Sequence, residues 1–165
     1  MLEFTLAFLP MMAMLFVLLD IAWSVFAKST LQYAVRAGVR KGITVTGVQA
    51  TAAGGCLTDI VKSTVQSSAL GLLAGSTGLA KIKVNYYQPP APGSTAAAVD
   101  VTSQTNGNQP LNIMQVSIQG FPLRALVPRI FGWKNTPDTS ATQIAVASAD
   151  LIEPSRDVPC IGTAP

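Results

Sequence analysis

Glu3 and Asp20 are the only ionisable side chains in residues 1–27, and Lys28, Arg36, Arg40 and Lys41 follow in residues 28–41 with no acid among them. Cys56 and Cys160 are the only thiols, and the chain has no histidine. Residues of these types can form ion pairs and a disulfide. They are poorly suited to catalysis, which needs a placed acid, base or nucleophile. There is no Walker or dinucleotide glycine motif and no pair of carboxylates at helical spacing, and two cysteines without histidine are too few to hold zinc. Asp100, Asp150 and Glu153 read as solvent-facing strand and loop residues. The expectation is a protein that is not an enzyme and needs no cofactor or metal.

The element that must carry the two carboxylates is apolar. Of the 165 residues 49% are hydrophobic, more than a domain of this size needs. From Phe4 to Ala27 a single charge, Asp20, interrupts the run, and roughly 20 mainly apolar residues suffice to cross a bilayer core. Ionisable groups at such depth are costly and tend to mark function. A cleaved signal peptide fits poorly, because no basic segment precedes the run, the run is long, and no small-x-small site follows it. The helical pattern also continues past the membrane edge: Leu31, Ala34, Val35, Gly38, Val39 and Gly42 share one face, while Lys28, Gln32, Arg36 and Arg40 repeat every four residues on another. The spacing predicts one helix to about residue 43, and hence a division into residues 1–43 and an extramembrane domain of residues 44–165. Pro10 reads as a kink.

Beyond it the fold class is α+β. TVTGVQATAAGG reads as a turn or loosened connection. CLTDIVKSTVQSSALGLLAG predicts a second amphipathic helix with Leu57, Ile60, Val61, Val65, Ala69 and Leu72 on one face, capped by Thr58 or Asp59 and closed by Gly75. Alternation then predicts four strands of an antiparallel sheet covered by helix on one side, with Ile82, Val84 and Tyr86, Val99 and Val101, Met114, Val116 and Ile118, and Ile144 and Val146 facing inward. Pro122 and Pro128 argue against a regular strand in FPLRALVPRIFGWKNTPDTS. Its apolar residues Phe121, Leu123, Leu126, Val127, Ile130, Phe131 and Trp133 read either as a lid on the small core or as an interface patch.

Cys56 and Cys160 are either two unrelated thiols or a disulfide tying the tail EPSRDVPCIGTAP to the domain, which would require an oxidising compartment. The basic collar argues the other way, since Lys and Arg after a span favour a cytoplasmic domain. A basic leader before Met1, later removed, would reconcile the two. The collar argues for lipid headgroups or acidic side chains rather than nucleic acid, for which no motif is present.

Three roles compete. A subunit of a membrane-derived filament would bundle its apolar helix with neighbours. Glu3 would then register against a neighbour's α-ammonium, and Asp20 would pair with Lys28, Arg36 or Arg40 across the interface, or else simply reach headgroup water. A bitopic, membrane-anchored periplasmic or surface binding domain would need only about 20 residues of helix. A one-span channel component would need more polar lining than Asp20 offers.

The first forty residues settle the order of these readings by resemblance. Glu3-Phe4, Leu9-Pro10, Asp20, Leu31-Gln32, Ala34, Arg36, Gly38 and Arg40 resemble the N-terminal signature of TadE-like pseudopilins, and VSIQGFPLRALVPRIFG is similar in character to a later segment of that family. The resemblance implies a minor pilin or pilin-like component of a tight-adherence, type IV-related pilus system. It implies export from the bacterial inner membrane with the domain outside the cytoplasm, and an extracellular filament after assembly. The implied partners are other pilin subunits, a prepilin peptidase and an assembly platform. Glu3 corresponds to the family's registration acid but stands nearer the start than that acid commonly does, which implies either a displaced start or a different cut.

Overall fold

The computed structural model describes residues 2–105, 107–125, 142–154, 157 and 159–162, with side chains from residue 7 onward. The element order is α1 (Leu2–Thr44), α2 (Gly47–Ala52), α3 (Leu57–Ser68), α4 (Gly75–Leu79), β1 (Ile82–Gln88), β2 (Val99–Asp100), β3 (Ile113–Leu123) and β4 (Thr142–Leu151). The four strands form one antiparallel sheet in the order β2-β1-β3-β4. α1 and α3 pack together, and α1 also lies against β3 and β4. The fold is α+β, with the core between this helical layer and the sheet.

α1 runs unbroken through Pro10 for 43 residues. Its upper half enters the core by the face that the periodicity marks: Leu31, Ala34, Val35 and Val39 are buried, while Gln32, Arg36 and Arg40 are exposed. Gly38 and Gly42 lie on the buried face because α3 and β3 come too close for a side chain. A Cβ on Gly38 would collide with Val65, and one on Gly42 would stand 2.5 Å from Met114 Sδ and 2.8 Å from Val61 Cγ2.

Several local expectations change. The segment after Thr44 contains a helix, α2, because Thr46 and Gln49 form a reciprocal capping box, Gln49 N–H donating to Thr46 Oγ1 and Thr46 N–H to Gln49 Oε1. α3 begins at Leu57, one residue before the expected caps. Its first amides donate to the tail, Leu57 N to Cys160 O at 2.8 Å and Thr58 N to Ile161 O at 2.9 Å. The helix ends at Ser68 with Ala69 as its C-cap, and Gly75 instead opens α4. Val101 is buried as expected, but Val99 is exposed, in a strand of two residues.

Pro122 does not end β3; it pairs with Gln143. β1 begins opposite Ile118, so from Phe121 to Leu123 β3 has β4 alone beside it and a missing N–H is tolerated. A register shift between Ile118 and Phe121 accompanies the change, with Gly120 at φ 66° and its carbonyl accepting from Lys81 Nζ at 2.6 Å.

Candidate assembly surface

α1 places its functional side chains at different heights along one rod. In its lower half the side chains from Ala7 to Phe26 are exposed or half-buried, and among them Leu9 is 73% and Met14 71% exposed. Nothing within the described chain covers this surface. The helix is long and apolar enough to cross a membrane, with a mean hydropathy of 2.0 over its most apolar window, and none of that window is buried inside the molecule. Apolar surface of this extent is the kind that lipid or another chain covers.

The upper end of the apolar run has the chemistry of a membrane boundary. Trp23 and Phe26 stack with ring centroids 5.8 Å apart, and exposed Lys28 follows. Aromatic rings and a cation in this order suit the headgroup layer. Asp20 lies one turn below Trp23 and is half-buried. Ala27 and Thr30 begin the part of α1 that the domain buries.

Lys28, Arg36, Arg40 and Lys41 are all exposed, and Tyr33 stands among them at 67% exposure. Of these, the exposed arginines and Tyr33 are residue types in which binding hot spots are enriched. Glu3 belongs to α1, but its side chain is outside the described residues. Among the apolar residues of the proline segment, Phe121 and Leu123 are half-buried in β3, Phe121 against the core. Leu126, Val127, Ile130, Phe131 and Trp133 are outside the described residues.

At the opposite end of the domain, Cys56 and Cys160 form a disulfide with Cα atoms 4.9 Å apart. The tail carries further ties that sequence reasoning missed. Ile152 is buried and exchanges backbone hydrogen bonds with the Leu111–Asn112 turn, and Asn108 Nδ2 donates to Pro159 O at 2.6 Å. The close α1–α3 approach was missed as well, although small residues at spacing four, Ala34, Gly38 and Gly42, signal it.

Residues 1–40 match the model of a family described as TadE-like protein. No curated protein and no solved structure matches the chain.

Proposed function

The chain is TadE-like over its first 40 residues, and on that premise we propose that it is a pilin-like structural subunit, assembled from the inner membrane into a Tad-type pilus or pseudopilus that supports adhesion or secretion. The observation that carries this reading is the two-part build of α1. One helix joins an apolar half that its own domain leaves uncovered to an upper half with one face in the core and a basic face outside. About 20 residues cross the bilayer and the domain core uses one face of the rest, which leaves the exposed basic face without a use in an anchor alone. A filament core uses both, burying the apolar half against other helices once lipid is left behind.

The division of labour follows. Residues 1–43 hold the subunit first in lipid and then in the core, and residues 44–165 form the outer layer outside the cytoplasm, where the Cys56–Cys160 bridge suits an oxidising compartment. Glu3 registers each subunit against the α-ammonium of a neighbour. The partners are other pilin subunits, a prepilin peptidase and an assembly platform, and we assign the chain no catalytic step.

Replacing Glu3 by Gln tests this. The variant is expected to accumulate in the inner membrane at wild-type level, to keep its disulfide, and to be lost from sheared surface filaments. Filaments containing the variant at wild-type abundance would contradict the role of Glu3, and a wild-type chain found only in the membrane would contradict the filament reading.

A further inference from the structure

Asp20 and the exposed arginines of α1 stand on opposite faces of the same rod. At about 100° and 1.5 Å per residue, Arg36 lies about 160° around and 24 Å above Asp20, and Arg40 about 200° around and 30 Å above it. Lys28 is only about 80° around and 12 Å above. The line of α1 that carries Asp20 runs upward through Ala27, Leu31 and Gly38, all buried in the domain. Asp20 therefore sits on the open continuation of the core-facing side, beneath its own domain, whereas Arg36 and Arg40 face away from that domain.

Lipid does not account for the arginines. If the apolar run ends the hydrocarbon at Ala27, Arg36 and Arg40 stand about 13 and 20 Å farther out, whereas the headgroup layer is only about 5–8 Å deep on each side. Lys28 falls within that layer. Asp20, one turn below Trp23, lies about 5 Å inside the boundary that the aromatic rings mark, at the edge of the hydrocarbon, where a carboxylate is still disfavoured.

We infer that Asp20 of one copy docks against Arg36 and Arg40 of a second copy of this chain, with the two parallel helices staggered by about 24–30 Å. This rests on the filament reading above and specifies its contact. Because the acid and its cations lie at different heights and on opposite faces, two copies side by side at one level cannot satisfy each other. Each copy instead offers its acid to one neighbour and its arginines to another, which makes the contact heterologous and open-ended, the geometry of a filament rather than a closed dimer. The stagger also places the outer copy's Asp20 well clear of the bilayer. Extraction from the membrane thus moves this carboxylate out of hydrocarbon and against two cations, and Tyr33 of the receiving copy adds an aromatic face beside them.

The experiment uses full-length chains in their own membrane. Asp20→Cys and Arg36→Cys, or Arg40→Cys, are expressed as separate minor chains beside an excess of wild-type chain, which keeps most contacts intact, and crosslinked dimers are sought in sheared filaments. In parallel Asp20→Asn, Arg36→Gln with Arg40→Gln, and the combination of all three are compared by filament yield relative to membrane content. The expected result is a 20–36 or 20–40 crosslink. Each partial variant should reduce yield at least tenfold, and the combination should do no worse than either, since both remove one contact. Retention of the Cys56–Cys160 bridge and of the membrane pool shows that the variants still fold. With the wild-type chain still present in filaments, a 20–20 crosslink in place of 20–36 or 20–40, or yields that fall additively or not at all, would overturn the staggered contact while leaving the filament reading standing. Absence of the wild-type chain from filaments would overturn both.

Discussion

A methyl group added at Gly38 would run into Val65, whose β-branched side chain has few alternative rotamers. Gly38→Ala is therefore expected to lower stability by about 1–3 kcal/mol through overpacking, while Arg36→Ala, about half a turn away on the exposed face, should change it by less than about 0.5 kcal/mol. Urea unfolding of the detergent-solubilised chain checks both, and equal midpoints for the two variants would contradict the packing described. Asp100 offers a second residue-level test. The Thr102 hydroxyl, and then the Thr102 amide, which donates to Asp100 Oδ1 at 2.9 Å, hold this exposed carboxyl below its ordinary value. A lowered folded-state value means that Asp100 contributes stability above its unfolded value of about 3.9 and loses it as pH falls through the folded one. The unfolding midpoints of wild type and Asp100→Asn should thus differ slightly near neutrality and converge in acid. A gap that widens in acid would reverse the sign and refute the assignment.

The tail is an element only by virtue of what it joins. Its disulfide closes a loop spanning 104 positions, for which chain entropy allows up to about 4.7 kcal/mol. The tail's carbonyls meanwhile cap the first amides of α3, while buried Ile152 and the Asn108–Pro159 hydrogen bond hold it independently. Reduction, or Cys160→Ser, is therefore expected to lower the unfolding midpoint and to speed amide exchange at Leu57 and Thr58 first, with the sheet amides keeping most of their protection. Uniform loss of protection would mean that the bridge alone holds the tail. The same elements show what was readable in the sequence. The buried face of α1, the core residues of α3 and the alternation in β1 and β3 follow from hydrophobic period, because one face of each meets the core. The caps of α3 were not readable, since their acceptors come from residues about a hundred positions away. α2 was readable through the capping box of Thr46 and Gln49, although Gly47, Gly54 and Gly55 in and beside it favour a turn. Pro122 misled because its tolerance depends on where β1 begins alongside β3, which is a fact of sheet register and not of local sequence. The height and face of Asp20 relative to the arginines were implicit in the helical period, but gained meaning only once the buried side of α1 was known.

At the scale of the whole molecule, α1 divides between two environments. The domain covers one side of its upper half and leaves its lower half to lipid or to other copies. Half the rod is thus left exposed by the described chain, as the proposed subunit, stored in a bilayer and used in a filament, would need. The most direct test is intact-mass analysis and N-terminal sequencing, without reductant, of the chain recovered from sheared surface filaments and separately from the inner membrane. The account predicts the chain in the filament fraction, processed at its N-terminus and lighter by two hydrogens than the dithiol form. An unprocessed, reduced chain confined to the membrane would contradict it.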